Sequence, residues 1–163
     1  MIEIFLSELT SGLPNTSQLA HVIIRLIAAI LLGAVVGIQR EQAGKAAGLR
    51  THILVALGTA LFVIAATGSG MSSDGVSRVI QGLTSGIGFI GAGAILKLSA
   101  TREIQGLTTA AGIWMTAAIG VTVGLGALGL ALLGTILTWI VLAAIGQFEY
   151  RLEKEQAAKK DTE

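Results

Sequence analysis

The chain has 163 residues, 53% of them apolar and 13% charged, with 22 glycines, one proline and no cysteine. A soluble domain carries roughly 25% charge, so this composition excludes an ordinary hydrated surface and places the chain, as one domain, in a bilayer. A formal net charge of +1 excludes a basic surface for nucleic acid, and the lack of cysteine excludes disulfides, thiolate metal centres and cysteine nucleophiles.

In chain order, Met1 to Leu9 sets Ile2, Phe5, Leu6 and Leu9 near Glu3 and Glu8, which predicts a short helix lying on the membrane surface. Pro14 stops it, and Asn15, Thr16 and Ser17 are candidate caps for the next helix. With two glutamates and no basic residue in its first 18 positions, this stretch does not read as a cleavable signal peptide. Five apolar segments come next: Leu19–Ile38, Leu49–Thr67, Val79–Leu96, Leu107–Val123 and Leu128–Phe148. Each is close to the ~20 residues that cross a hydrocarbon core of roughly 30 Å. Gly124, Leu125, Gly126 and Ala127 carry no charge and read either as a tight turn or as the middle of one interrupted helix. After Phe148, five acids and four bases, Glu149, Glu153 and Lys154 among them, read as a charged helix leaving the membrane. The chain thus divides into an external interfacial segment, 1–18, a transmembrane domain, 19–148, and a cytoplasmic tail, 149–163, too short for a soluble domain.

Lysine and arginine positions orient the spans. With the N-terminus outside, Arg40, Lys45, Arg50, Lys97, Arg102, Arg151, Lys154, Lys159 and Lys160 are cytoplasmic, nine of eleven. Arg78 borders an external loop, and Arg25 falls inside the first span. The fold class is therefore an all-α membrane protein of about five transmembrane helices, N-terminus outside and C-terminus cytoplasmic. A shift of 58 residues lays Gly33-Ala34 on Gly91-Ala92, Gly48-Leu49 on Gly106-Leu107, Thr51 on Thr109 and Ala60 on Ala118, six identities over Leu31 to Leu61. About three arise by chance in so biased a composition, and the shared order of features marks a candidate parallel repeat of two helical hairpins. Coincidence among glycine-rich helices is the alternative.

Glycines four apart share a helix face and let backbones approach closely, as at Gly33 and Gly37, Gly82 and Gly86, and Gly120 and Gly124. The third span adds Gly88, Gly91 and Gly93 and is expected to be the most buried helix. These faces serve packing within the chain, or self-association, or a glycine-lined conduit.

Arg25 lies roughly 9 Å below the outer end of the first span by helical rise, with His21 one turn above it. It either snorkels outward or contacts carbonyls or polar residues of the third span, where Gln81, Thr84 and Ser85 are acceptors. His52 is read as an interfacial histidine, and two histidines without neighbouring carboxylates do not make a metal site. The first cytoplasmic hairpin is the richest polar cluster. Glu41 and Lys45 pair at i,i+4 if the helix continues, and Gly48 turns the chain toward Arg50 and Thr51. The second hairpin repeats the arrangement with Lys97, Arg102, Glu103, Gly106, Thr108 and Thr109. Two positive helix ends beside these bases favour an anion or an acidic partner surface; helix capping and topology are the simpler account.

This hairpin, with Arg78 to Gly93 and Gly106 to Trp114, resembles the MgtC/SapB family of bacterial inner-membrane proteins over roughly Arg25 to Gly126. The matching positions are Arg40, Glu41, Gly48, Leu49, Arg50, Thr51, Arg78, Gln81, Ser85, Gly86, Gly88, Phe89, Gly91, Gly93, Gly106, Leu107, Thr109 and Trp114. Gln105 stands where an arginine is usual, Met115 replaces a common cysteine, and the C-terminal soluble domain of longer members has no counterpart here. The resemblance implies a role in growth at low magnesium and, in pathogens, in virulence through survival inside macrophages. It also implies action on membrane energetics, including inhibition of the ATP synthase; older descriptions make these proteins magnesium transporters.

A magnesium path is expected to offer carboxylate ligands, and no span contains one. No nucleophile and base pair is visible either. The expectation is a non-enzymatic membrane protein without cofactor or metal, acting by binding a membrane partner, such as the ATP synthase, or a small anion. Its candidate binding residues are Arg25, Arg40, Glu41, Lys45, Arg50, Thr51, Arg78, Gln81, Ser85, Thr108 and Thr109. An ion transporter and a homo-oligomeric scaffold are the alternatives.

Overall fold

The computed structural model describes residues 1–10, 15–97 and 104–160. The surface segment forms α1 (Ile2–Thr10), with Ile2, Ile4 and Phe5 exposed. Asn15 opens α2 (Thr16–Gln42) by accepting the Gln18 amide at 3.0 Å, as a cap residue should. At 27 residues α2 is about 40 Å long. It ends in a Schellman turn, with the Lys45 amide on the Arg40 carbonyl at 3.1 Å and the Gly44 amide on that of Glu41 at 3.0 Å. Then come α3 (Leu49–Gly68), α4 (Ser73–Gly93), an antiparallel ribbon of β1 (Leu96–Lys97) and β2 (Ile104–Gln105), α5 (Leu107–Gly124) and α6 (Leu128–Lys160). Between α5 and α6, Gly126 at φ +84° closes another such turn, as Gly70 does after α3, which decides that stretch in favour of a tight turn.

The centre is a slab of α2, α3 and α5 in mutual contact; α6 covers α2 and α5, and α4 leans mainly on α5. Small residues set the spacing. A Cβ at Gly33 would lie 3.0 Å from the Ala56 Cβ, and one at Gly120 would lie 2.9 Å from the Ala56 Cα, so α3 is clasped between the glycine faces of α2 and α5. A Cβ at Gly37 would lie 2.7 Å from the Leu49 Cα, and one at Gly124 would lie 2.7 Å from the Val63 Cβ. Ala29, Val36, Ala56, Ala60, Ile119, Val123 and Ala131 form the core between these contacts. Thr59, Thr116, Thr135 and Thr138 are buried and donate to carbonyls of their own helices, so they pack as branched apolar residues.

Three helices, α2, α3 and α5, are long and apolar enough to cross a membrane, and Leu128–Ala144 of α6 adds a shorter apolar stretch. The third expected span is corrected. Its helix starts at Ser73, capped by the Ser72 hydroxyl, and is among the least buried, with only Ile87 and Gly91 inside. A Cβ at Gly82, Gly86, Gly88 or Gly93 would meet open space, so these glycines do not pack within the chain; Gly91 does, its Cβ position 3.6 Å from the Ala110 Cβ. The repeat is not carried into the connections, because the first hairpin is a helical turn and the second a β ribbon. Pro14, Arg102 and Glu103 lie outside the described residues, as do the side chains of Lys97 and of the tail.

Candidate functional site

Where α2, α3 and α5 meet at the hairpin end, polar groups are buried together. Arg40, in the last turn of α2, is 2% exposed, and its Nη2 donates to Thr109 Oγ1 in the first turn of α5 at 3.3 Å. Its Nε has no partner. His52 is fully buried one turn into α3, with Nδ1 2.9 Å from the Gly48 carbonyl. A ring nitrogen facing a carbonyl carries the proton, which leaves Nε2 of the neutral ring as a bare acceptor. Nε2 is buried without a partner, 3.6 Å from where a Cβ on Gly112 would stand. Gln39 Oε1 is buried and unpaired as well. A donor at Arg40 and acceptors at His52 and Gln39 thus lie at the end of the slab that α5 shares, with no carboxylate paired to them among the described residues.

The expected Glu41–Lys45 pair is corrected. The helix ends at Gln42, so Lys45 leaves the face that Glu41 occupies, and Glu41 Oε2 instead accepts the Leu49 amide at 2.8 Å. The positive end of α3 is therefore satisfied by the chain's own carboxylate. Gly48 makes room for it, since a Cβ there would lie 2.7 Å from Glu41 Oε2. Glu41→Ala should lower stability by about 1 kcal/mol, read as a lower melting temperature in detergent, with Glu41→Gln keeping part of the loss. Lys45, Arg50 and Thr108 are exposed around this end, and Thr51 is half-buried.

Arg25 does not reach the third span. Its Nη1 donates 3.0 Å to the Gly124 carbonyl, capping the last turn of α5, where unpaired carbonyls carry partial negative charge. Its guanidinium lies over Gly126, whose Cβ would stand 2.9 Å from Cζ. Arg25 and Arg40 are 15 residues apart on α2, roughly 22 Å, so the candidate residues do not form one site. Arg78, Gln81 and Ser85 form a third, exposed group on α4. The buried acceptors His52, with Gly112 against it, and Gln39 are not among the residues expected from sequence to bind; a histidine one turn into a span is the signal that points to the first of them. Among the described residues no three His, Asp or Glu side chains could hold a metal ion.

A glycine-spaced bundle of apolar helices, three of them long and apolar enough to cross a bilayer, is a helical membrane protein. The chain belongs to the MgtC family, whose model matches residues 26–151. It is 43% identical over 136 residues to protein SrpB of Synechococcus elongatus, covering 77% of this chain and 75% of that protein. It is 44% identical over 140 residues to the putative magnesium transporter YhiD of Escherichia coli K12, covering 82% of this chain and 64% of that one. To protein MgtC of Salmonella typhimurium it is 44% identical over 115 residues, 71% of this chain and 48% of that protein. The matched region thus spans about half to three quarters of the length of these relatives. No solved structure matches.

Proposed function

We propose that this chain is a five-span protein of the bacterial inner membrane, N-terminus outside and C-terminus cytoplasmic. It acts without catalysis in adaptation to low magnesium, by binding a membrane partner or a small anion at its hairpin end. The observation that carries this reading is Arg40, buried at 2% exposure against α5 with no carboxylate paired to it among the described residues. A guanidinium held there without a counter-charge attracts negative groups and repels a dication. Between Thr16 and Ala144 the acids are Glu41, Asp74 and Glu103; Glu41 is engaged as a cap, and Asp74 stands in the first turn of α4. Magnesium asks for hard oxygen ligands, usually carboxylates, and none stands in the middle of a described helix of the bundle. By family resemblance the ATP synthase is the first partner to test, and in a pathogen the same activity would serve virulence.

Growth of a strain lacking the gene, at limiting magnesium, tests the reading. The full chain is expected to restore growth. Lys45→Gln with Arg50→Gln should restore it less at equal abundance in the membrane, because both side chains are exposed and make no contact on which the fold depends. Magnesium entry into liposomes at a rate abolished by Glu41→Gln would overturn it in favour of transport.

A further inference from the structure

α3 and α5 end at Gly68 and Gly124, and beside those ends a cleft of about 830 Å³ separates them from α4. It lies at the far end of the bundle from Arg40: Thr67, on its wall, is 15 residues past His52, roughly 22 Å along α3. α4 contributes Ser73, Ser77, Gln81 and Ser85 to the wall, at intervals of four. Each step rises about 6 Å and turns about 40°, so the four make a ladder about 18 Å long. Met71 and Leu125, from the turns after α3 and α5, bring apolar surface, and no charged side chain lines the cleft. Thr67 donates to the Val63 carbonyl at 3.0 Å and Thr84 to that of Ile80 at 2.9 Å, so these two hydroxyls are satisfied within their own helices. Ser73, Ser77, Gln81 and Ser85 have no partner among the described residues.

We propose that the cleft is a water-filled binding site for a small uncharged polyhydroxylated solute, of the polyol or sugar class. Hydrocarbon offers no hydrogen bonds. A phospholipid carries its polar atoms at its head alone, so a tail laid along the ladder leaves Ser85, the deepest rung, unsatisfied. An ion in the cleft has no counter-charge in the wall. A polyol or sugar matches what is there. Its hydroxyls both donate and accept, as the serine hydroxyls and the glutamine amide do, and its C–H face suits Met71, Ile80 and Leu125. The volume falls within the roughly 300–1,000 Å³ of small-molecule pockets, which likewise combine apolar walls with a few placed polar groups. The cleft also accounts for α4 being 21 residues long and yet not among the helices apolar enough to cross a membrane, since a face turned to water has no need to be apolar. It shares no residue with the hairpin-end site, so either reading stands without the other.

The absence of native cysteine makes the test direct. Single substitutions Ser77→Cys, Gln81→Cys and Ser85→Cys fall in the cleft, with Ile27→Cys and Leu133→Cys on the exposed apolar faces of α2 and α6 and Lys45→Cys in the exposed hairpin as references. Membranes opened on both sides are treated with a charged, membrane-impermeant thiol reagent. The three cleft variants are expected to react several-fold faster than Ile27→Cys and Leu133→Cys, because a thiol in apolar surroundings stays protonated and beyond the reagent. Glycerol, mannitol and sucrose are then added in turn, with magnesium chloride at equal osmolality for comparison. At least one of the three is expected to slow modification of Ser77→Cys several-fold while leaving Lys45→Cys unchanged, and the salt to protect neither. Adding Gln81→Leu to Ser77→Cys should remove the protection. Cleft variants as slow as Ile27→Cys would mean that lipid fills the cleft and would overturn the proposal. So would failure of all three probes, equal protection by the salt, or protection that survives Gln81→Leu.

Discussion

Gly120→Val is expected to remove the folded protein from the membrane fraction, the largest structural loss available to a single substitution here. The Cβ of any residue at 120 falls on the Ala56 carbonyl and the Thr59 hydroxyl, and lies 2.9 Å from the Ala56 Cα. Two of these atoms are backbone and cannot swing aside. α3 is also held on its other side by α2, where a Cβ at Gly33 would lie 3.1 Å from the Ile53 Cα, so it has nowhere to retreat. Overpacking a core commonly costs about 1–3 kcal/mol, and backbone on both sides puts this site at the upper end or beyond. Gly82→Ala is the matched control. Its Cβ enters open space, and removing a helical glycine should raise the stability of the solubilised monomer by up to about 1 kcal/mol. Membrane abundance and thermal unfolding in detergent read both variants; equal losses at 120 and 82 would contradict the placement of α3 between α2 and α5.

Arg40→Met should leave the melting temperature unchanged or raise it, while abolishing rescue of growth at low magnesium. A buried guanidinium bonded to one threonine, with its Nε unpaired, is a net cost to the fold. Methionine keeps much of the length of arginine and removes the buried charge. A costly residue that stability does not require is a mark of function. If the Met variant both unfolded and failed to rescue, Arg40 would be a structural pin. If it rescued growth fully, the hairpin-end reading would fall.

The legible and illegible parts of this chain separate along one physical line. Length and apolarity place α2, α3 and α5, because a span is a local property of 20 residues, and four-residue glycine spacing picks out Gly33 with Gly37 and Gly120 with Gly124. Gly82 and Gly86 carry the same signal and face open space, since spacing names a face without naming its neighbour. α4 begins six residues before the apolar run at Val79, because hydropathy does not register a helix that opens in Ser-Asp-Gly under a serine cap. Sequence offers Arg25 an outward path or the carbonyls and polar residues of the third span, whereas its acceptor is a main-chain carbonyl at the end of α5, and since every residue possesses such a carbonyl no letter of the sequence marks which helix supplies it. His52 gains its significance only from Gly112, 60 positions away, through a contact that exists after α3 and α5 have packed.

The two arginines of α2 have a bearing on how the protein is made. Arg25 finds its acceptor 99 residues downstream and Arg40 finds Thr109 69 residues downstream, both on α5. At roughly 5–20 residues per second, about 5–20 s of synthesis separate Arg25 from Gly124. During that interval α2 has neither of these partners, and its final seating waits until α5 has emerged from the ribosome. Because α2 packs most extensively on α3, made directly after it, a ribosome stalled before α5 leaves an apolar hairpin whose two arginines are still unsatisfied, a target for membrane quality control.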